Sequence, residues 1–271
     1  MSSSTAADPV PARDASTVIL IRDGRSQPGI EVFLLERVGG MAFAGGMTVF
    51  PGGGVDPSDA AADIEWAGPP PSWWADRFGT DERKAQALVC AAARETFEEC
   101  GVLLAGPTAD SVVADTAPFS AERGRLERRE LSFAQFLTDH DLVLRADLLR
   151  PWSHWITPIG EARRYDTRFF VAVLPEGQNA DGETSEAASV SWRSAEDALT
   201  DWRSGTTVLL PPTWSQLDAL GRFDTVADVL DHEQTIAAVL PVLTRENGTV
   251  RVEFDGEDAY YAGTVHPWSD R

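Results

Sequence analysis

Apolar positions along the chain follow two rhythms. Thr17–Ile21 and Ile30–Leu35 are short, β-branched apolar runs separated by a Gly/Pro-containing turn at Asp23–Gly29, which predicts a β-hairpin. Ala85, Leu88, Val89, Ala92, Ala93, Thr96 and Phe97 recur at helical spacing, so Asp81 to Cys100 is the clearest helix. Asp81 and Glu82 suit its start, and Gly101 suits its end. Ser120 to His140 reads as one or two surface helices. Phe169–Leu174, Ala188–Trp192 and Val250–Phe254 read as strands, with a shorter one at Val49-Phe50. Ser194 to Trp202 predicts a capped helix, Asp197 standing three residues after Ser194, and Thr225 to Leu240 predicts another. Ala60–Thr80 reads as loop, because Pro69-Pro70-Pro71 opposes helix locally. Met1–Ser16 reads as a mobile tail. Strands alternating with helices imply mixed α/β architecture. The expected organisation is one domain over 17–271, with an insertion at about 60–80 and helical extensions at about 120–150 and 212–240.

Composition narrows the partners. The chain has 271 residues and a net charge of −20, which repels nucleic acid and anionic membranes at long range. An anionic substrate would need local arginines or bound cations. No apolar run reaches the roughly 18–20 residues that span a bilayer. Met1–Arg13 has no secretory apolar stretch, and Ser269-Asp270-Arg271 is not a peroxisomal address. The expectation is a cytoplasmic protein. Cys90 and Cys100 are the only cysteines; on one helix they stand ~15 Å apart, too far for a disulfide, and read as buried thiols. The four histidines, His140, His154, His232 and His266, show no metal-ligand spacing.

Chemistry concentrates in Arg94-Glu95-Thr96-Phe97-Glu98-Glu99-Cys100-Gly101. Glu95, Glu98 and Glu99 share one helix face, where carboxylates repel unless solvated or bridged by a cation. Oxygen-only ligands suit a hard cation. Upstream, Gly39 to Gly54 holds seven glycines in sixteen residues, ending in Phe50-Pro51-Gly52-Gly53-Gly54. Such backbone can offer a carbonyl ligand and admit a phosphate closely, or simply turn. A solvated acidic face and a cation site both remain open on spacing alone.

Together these residues resemble the Nudix box, G-x5-E-x7-R-E-U-x-E-E-x-G-U, where U is apolar. Gly53 matches its opening glycine, and Arg94, Glu95, Glu98, Glu99, Gly101 and Val102 match its closing half. Asp59 stands where the family has Glu, and Thr96 at the first apolar position. Gly53 to Arg94 is 41 positions against 14 in the uninterrupted box, so 27 residues are inserted ahead of the helix, leaving its register intact. An interrupted box is similar to the coenzyme A diphosphatase-like branch. Leu34-Leu35-Glu36-Arg37, Gly46 and Phe50-Pro51-Gly52-Gly53 partly match that branch, with Ala42 in place of a second arginine and Val38 in place of a small residue. Trp155-Ile156-Thr157-Pro158, Arg163 to Phe170 and Leu210-Pro211-Pro212-Thr213 also look like it.

The resemblance implies an α/β/α Nudix sandwich with a mixed sheet, helical insertions and a C-terminal helical extension. It implies a hydrolase that splits a diphosphate with Mg2+ or Mn2+ bound to Glu95, Glu98, Glu99 and the Gly53 carbonyl, with Arg94 orienting the carboxylates. Glu186, just before the strand Ala188–Trp192, is the candidate general base or an ordinary loop carboxylate. Arg37, Gly52, Arg163 and Arg164 are candidate substrate contacts. Trp66, Trp73 and Trp74 either stack on substrate or form the insertion's own core. The expected substrate is a small-molecule diphosphate, coenzyme A or acyl-coenzyme A. Alternatives are ADP-ribose, NADH or a dinucleotide, or a non-catalytic nucleotide-binding regulator. Whether the chain forms a homodimer is open.

Overall fold

The computed structural model describes residues 9–24, 29–40, 44–60, 63–246 and 249–262. Ala42, His266, Ser269-Asp270-Arg271 and the first eight residues of the expected tail lie outside them. In chain order the first elements are β1 (Arg13–Asp23), β2 (Ile30–Arg37), β3 (Thr48–Val49), β4 (Gly52–Gly54), β5 (Trp66–Ala67), α1 (Pro71–Phe78) and α2 (Glu82–Cys100). Next come β6 (Ala105–Gly106), α3 (Ser120–Glu127), α4 (Phe133–Asp139), β7 (Val143–Arg145), β8 (Leu149–Ile156), β9 (Tyr165–Val173) and β10 (Ala187–Ser194). The last are α5 (Ala195–Arg203), α6 (Pro211–Leu220), α7 (Val226–Asp231), β11 (Ala238–Val239), β12 (Val242–Glu246), β13 (Thr249–Glu253) and α8 (Glu257–Tyr261).

The main sheet runs β10-β2-β1-β9-β8-β11, with β3 added to β2 and β4 added to β1. It is mixed: β1–β9 and β8–β11 are parallel, the other pairs antiparallel. Side chains alternate across it. Val18, Leu20, Phe33, Phe170 and Ala172 face a core built with α1, α2 and α4. Ile19, Ile21, Val32, Phe169 and Val171 face a second core built with α5, α6 and the C-terminal elements. The sandwich layering is as expected, and no helix among the described residues is long and apolar enough to cross a membrane.

Helix α2 obeys its sequence signals. Asp81 caps it, accepting from the Lys84 amide at 2.9 Å, and Gly101 ends it at φ 69°, a left-handed geometry that disfavours a Cβ. Cys90 and Cys100 are free and buried.

Four expectations are corrected. Strand β1 begins at Arg13, inside the expected tail, because Arg13–Ser16 pair in parallel with Tyr165–Arg168. The Ala60–Thr80 loop contains α1: Pro71 occupies the first helical position, where its missing N–H costs nothing. The helix expected over Thr225–Leu240 stops at Asp231, and Ala238–Val239 instead extend the sheet beside β8. Helices α3 and α4 are not merely superficial, since Phe133, Phe136 and Leu137 are core residues. Strand β8, with Pro151 and His154 inside it, carries no clean strand pattern in its sequence.

Candidate active site

Strand β4 and helix α2 meet at one edge of the sheet, bringing the two halves of the interrupted box together. The Gly52 amide donates to Glu99 Oε2 at 2.7 Å, and Arg94 Nη2 donates to the Gly54 carbonyl at 3.0 Å. A Cβ on Gly53 would stand 2.5 Å from Glu95 Oε1, so only glycine lets this backbone lie against that carboxylate.

Arg94 is the hub. Its Nε and Nη2 bind Asp59 at 3.1 and 2.9 Å, a two-pronged pairing. Its Nη1 reaches Glu95 Oε1 at 2.8 Å and both Glu98 oxygens at 3.3 Å. Asp59 therefore orients the arginine, even though it replaces the family's Glu. Three carboxylates share one guanidinium, and Glu99 lies beyond it. Burial is the main reason that Glu95 is pushed up to about 7, with Arg94 opposing and Glu98 adding to the rise. Burial also raises Glu98, against the pull of Arg94, and raises Glu99 strongly, with Glu95 adding repulsion. Among the described residues no three His, Cys, Asp or Glu side chains form a ready metal cage. The donor set nevertheless fits a hard divalent cation: all oxygen, under-neutralised, and packed on a glycine strand that leaves room for it.

This edge borders a cavity of about 550 Å³ on the second face of the sheet. Its floor includes Ala15, Thr17, Trp155, Thr167 and Phe169, which the register of β1, β8 and β9 aligns. Arg37 and Glu186 are 149 residues apart in sequence, but β2–β10 pairing joins them as an ion pair at 2.5 Å on the cavity wall. Glu186 is close enough to add to the rise of Glu99.

The arginine pair separates. Arg163 is exposed on the cavity wall. Arg164 is buried and donates to the carbonyls of Thr157, Pro158 and Val10 at 3.0, 3.1 and 2.8 Å. It clamps the chain and does not meet the expectation of a substrate contact. Trp74 is fully buried against Phe78 and Phe170, and the indoles of Trp66 and Trp74 both donate to the Pro69 carbonyl. These three tryptophans thus pack into the main core between the sheet and α2, so the insertion has no separate tryptophan core, and none of the three lines the cavity. His154 binds Asp166 at 2.5 Å, away from the carboxylate cluster.

Sequence reasoning missed Arg129. It follows α3 with φ 58°, a left-handed conformation uncommon outside glycine, and lines the cavity. Its guanidinium has no ion-pair or hydrogen-bond partner among the described residues, and, after Arg94, it opposes the rise that burial imposes on Glu98. Nothing in Arg128-Arg129 marks one arginine over the other.

Comparison with known proteins agrees with this geometry. The NUDT19 Nudix domain profile matches residues 70–220. The chain is similar to acyl-coenzyme A diphosphatase NUDT19 of Gallus gallus, at 29% identity over 93% of this chain and 82% of that protein. It is similar to the Homo sapiens protein of the same name at 28%, over 94% and 80%. A crystal structure of a NUDIX hydrolase from Alicyclobacillus acidocaldarius superimposes with a TM-score of 0.72 at 29% identity, covering 83% of this chain and 98% of that one. With an acidic helix docked on a glycine strand and a profile match over more than half its length, the chain belongs to the NUDT19-type Nudix family and is a Nudix diphosphatase.

Proposed function

We propose that this protein hydrolyses the diphosphate of coenzyme A or acyl-coenzyme A to 3′,5′-ADP and (acyl-)phosphopantetheine. The observation that carries the reading is the set of buried Glu95 and Glu99 with partly buried Glu98, under-neutralised beside a cavity large enough for a nucleotide cofactor. Relatives named for acyl-coenzyme A hydrolysis support the substrate class.

Glu95, Glu98, Glu99 and the Gly53 carbonyl are the residues that would hold Mg2+ or Mn2+. Such a cation neutralises phosphoryl oxygens and lowers the pKa of bound water. Arg94, itself fixed by Asp59, keeps the carboxylates in place. Glu186, steadied by Arg37, accepts the proton of the attacking water as the new P–O bond forms and the anhydride P–O bond breaks. Arg129 and Arg163 supply local positive charge to phosphates in a chain of net −20.

A second reading, hydrolysis of ADP-ribose or NADH, draws on the occupation of Arg164 by backbone carbonyls, which leaves one fewer cation for a 3′-phosphate. A panel of coenzyme A, dephospho-coenzyme A, acetyl-coenzyme A, ADP-ribose and NADH, with Mg2+ or Mn2+ and products identified by mass, separates the two. Coenzyme A species should give the highest kcat/KM and release 3′,5′-ADP. Brisk cleavage of ADP-ribose with no coenzyme A turnover refutes the proposal.

A further inference from the structure

Glu186 sits at the end of a segment without regular structure. Between β9 and β10 the chain runs from Leu174 to Glu186, and β10 begins only at Ala187. The β2–β10 ladder is irregular at that point, its register shifting between Ala187 and Ser189. The Glu186 side chain is 44% exposed and pairs with Arg37. An ion pair at the carboxylate does not fix the backbone behind it, so that backbone needs its own support.

The support comes from the end of α2 and from α3. Gln178 is buried; it accepts from the Leu103 amide at 2.9 Å and donates to the Leu103 and Val113 carbonyls at 2.9 and 2.6 Å. The Asp181 amide donates to the Cys100 carbonyl at 3.0 Å, and its carboxylate accepts from Arg123 Nη1 at 2.9 Å. Arg123 Nε donates to the Glu98 carbonyl at 3.0 Å, so one guanidinium joins the last turn of the carboxylate helix to the loop. A Cβ on Gly101 would stand 2.8 Å from both Arg123 Nη1 and Asp181 Oδ2. Glu127 follows Arg123 by one turn on the same helix face. Its Oε1 accepts from Ser185 Oγ at 2.6 Å, from the Ser185 amide at 2.8 Å and from Thr184 Oγ1 at 3.3 Å. The Thr184 hydroxyl in turn accepts from the Glu186 amide at 3.3 Å. Burial works against ionising Glu127, yet the Ser185 and Thr184 donors and the Arg123 charge hold its carboxyl below its usual value of 4.5. With three donors on one oxygen it is poorly suited to take a proton from water.

We infer that Glu127 is the positioning residue for Glu186: it fixes the 184–186 backbone at a set reach from the carboxylate helix, while Arg123 seats α3 against that helix. The inference rests on Glu186 being the proton acceptor of the hydrolysis proposed above. It adds that Glu127 works as a hydrogen-bond acceptor and not as a charge, base or cation ligand.

The test uses the full chain with Mg2+ and the faster of coenzyme A and ADP-ribose as substrate. Glu186→Gln should lower kcat by about 100-fold, the low end for a lost general base. Glu127→Ala should lower kcat by about tenfold and leave KM within about twofold, because a base displaced by less than 1 Å loses part of the 100-fold that such a shift can cost. Glu127→Gln keeps an acceptor oxygen and should stay within about threefold of the parent. The double variant Glu127→Ala with Glu186→Gln should be no slower than Glu186→Gln alone, since a base already removed cannot be misplaced. A melting curve checks folding, and Ser185→Ala, at an exposed position, should show the same split in smaller measure even where Glu127→Ala folds poorly. Parent-like kcat in Glu127→Ala overturns the inference. So does a Glu127→Gln variant as slow as Glu127→Ala, which would make the charge the working element. A double variant slower than Glu186→Gln by the full Glu127→Ala factor overturns it too, because Glu127 would then act apart from Glu186. Parent-like kcat in Glu186→Gln refutes instead the base assignment on which the inference stands.

Discussion

Gly53→Ala separates what the glycine strand does for the fold from what it does for chemistry. The new Cβ would stand 2.5 Å from Glu95 Oε1, 2.6 Å from Cδ and 2.7 Å from Oε2, whereas ordinary contact begins at 3.4 Å. The carboxylate must therefore retreat by about 0.9 Å, the difference between 3.4 and 2.5 Å. Gly53 does not have a left-handed φ, so alanine brings no backbone strain. The atoms struck are the end of a side chain, so the fold should lose only about 1–3 kcal/mol, the usual overpacking cost. Catalysis should lose more, because a displacement near 1 Å in a positioned group costs on the order of 100-fold, or about 2.7 kcal/mol in the barrier. The assay is divalent-cation titration of kcat/KM on the best diphosphate substrate, with a urea melt alongside. A folded variant with activity within threefold of the parent at every cation concentration would sink the assignment of Glu95 as a ligand.

Three further outcomes follow from the same geometry. Glu98→Gln keeps shape but removes a charge, and turnover at saturating cation should fall by about 100-fold or more; parent-like turnover would remove Glu98 from the mechanism. Arg129→Ala leaves an exposed position, so the melting temperature should hold while kcat/KM falls about tenfold, with Lys partly restoring it; an unchanged kcat/KM would mean that Arg129 meets no phosphate. Asp166 is held down to about 2 because His154, Arg168 and Lys84 together outweigh its burial. A depressed carboxylate stabilises the fold above its ordinary value of 3.8, and that stability is lost as pH falls from about 4 towards 2. With the group half in solvent, screening trims the effect to about 1 kcal/mol. Asp166→Asn should flatten urea midpoints across that window, and a parallel decline in both proteins would refute it.

Local signals were legible and non-local ones were not. Helix α2 was read because its period, its Asp81 cap and its Gly101 stop all lie within about twenty residues and agree. The box residues ride on that helix, so their common face came with it. Helix α1 was hidden because a triple proline reads as a breaker until its last member is placed at a helix start. Strand β8 has Pro151 and His154 within it and lacks clean alternation, and its partners are β9 and β11 further along the chain. The Arg37–Glu186 pair depends on β2 meeting β10, a fact of topology that neither segment carries alone. Arg164 resembled a phosphate ligand because charge was visible and the three carbonyls around it were not. Arg129 differs from Arg128 only in backbone conformation and surroundings.

The parallel pairing of β1 with β9 sets a timetable for synthesis. Strand β1 is made first, and its in-register partner follows some 150 residues later. On a ribosome adding roughly 5–20 residues per second, β1 waits on the order of ten seconds for the strand that makes it central. Until then its only strand partners among the described residues are β2 and β4, which cover one edge of it but not the other, while α1 and α2 stand ready for one face. Ile19 and Ile21 must wait longer still for α5, α6 and the C-terminal hairpin to bury them. The nascent chain thus carries an open strand edge and an apolar face through most of its translation, the hazard that chaperones exist to shield. The acidic helix is complete by residue 100, yet Glu186 and the wall at Leu243 and Val252 arrive last, so the hydrolytic pocket comes into being only when the chain is nearly finished.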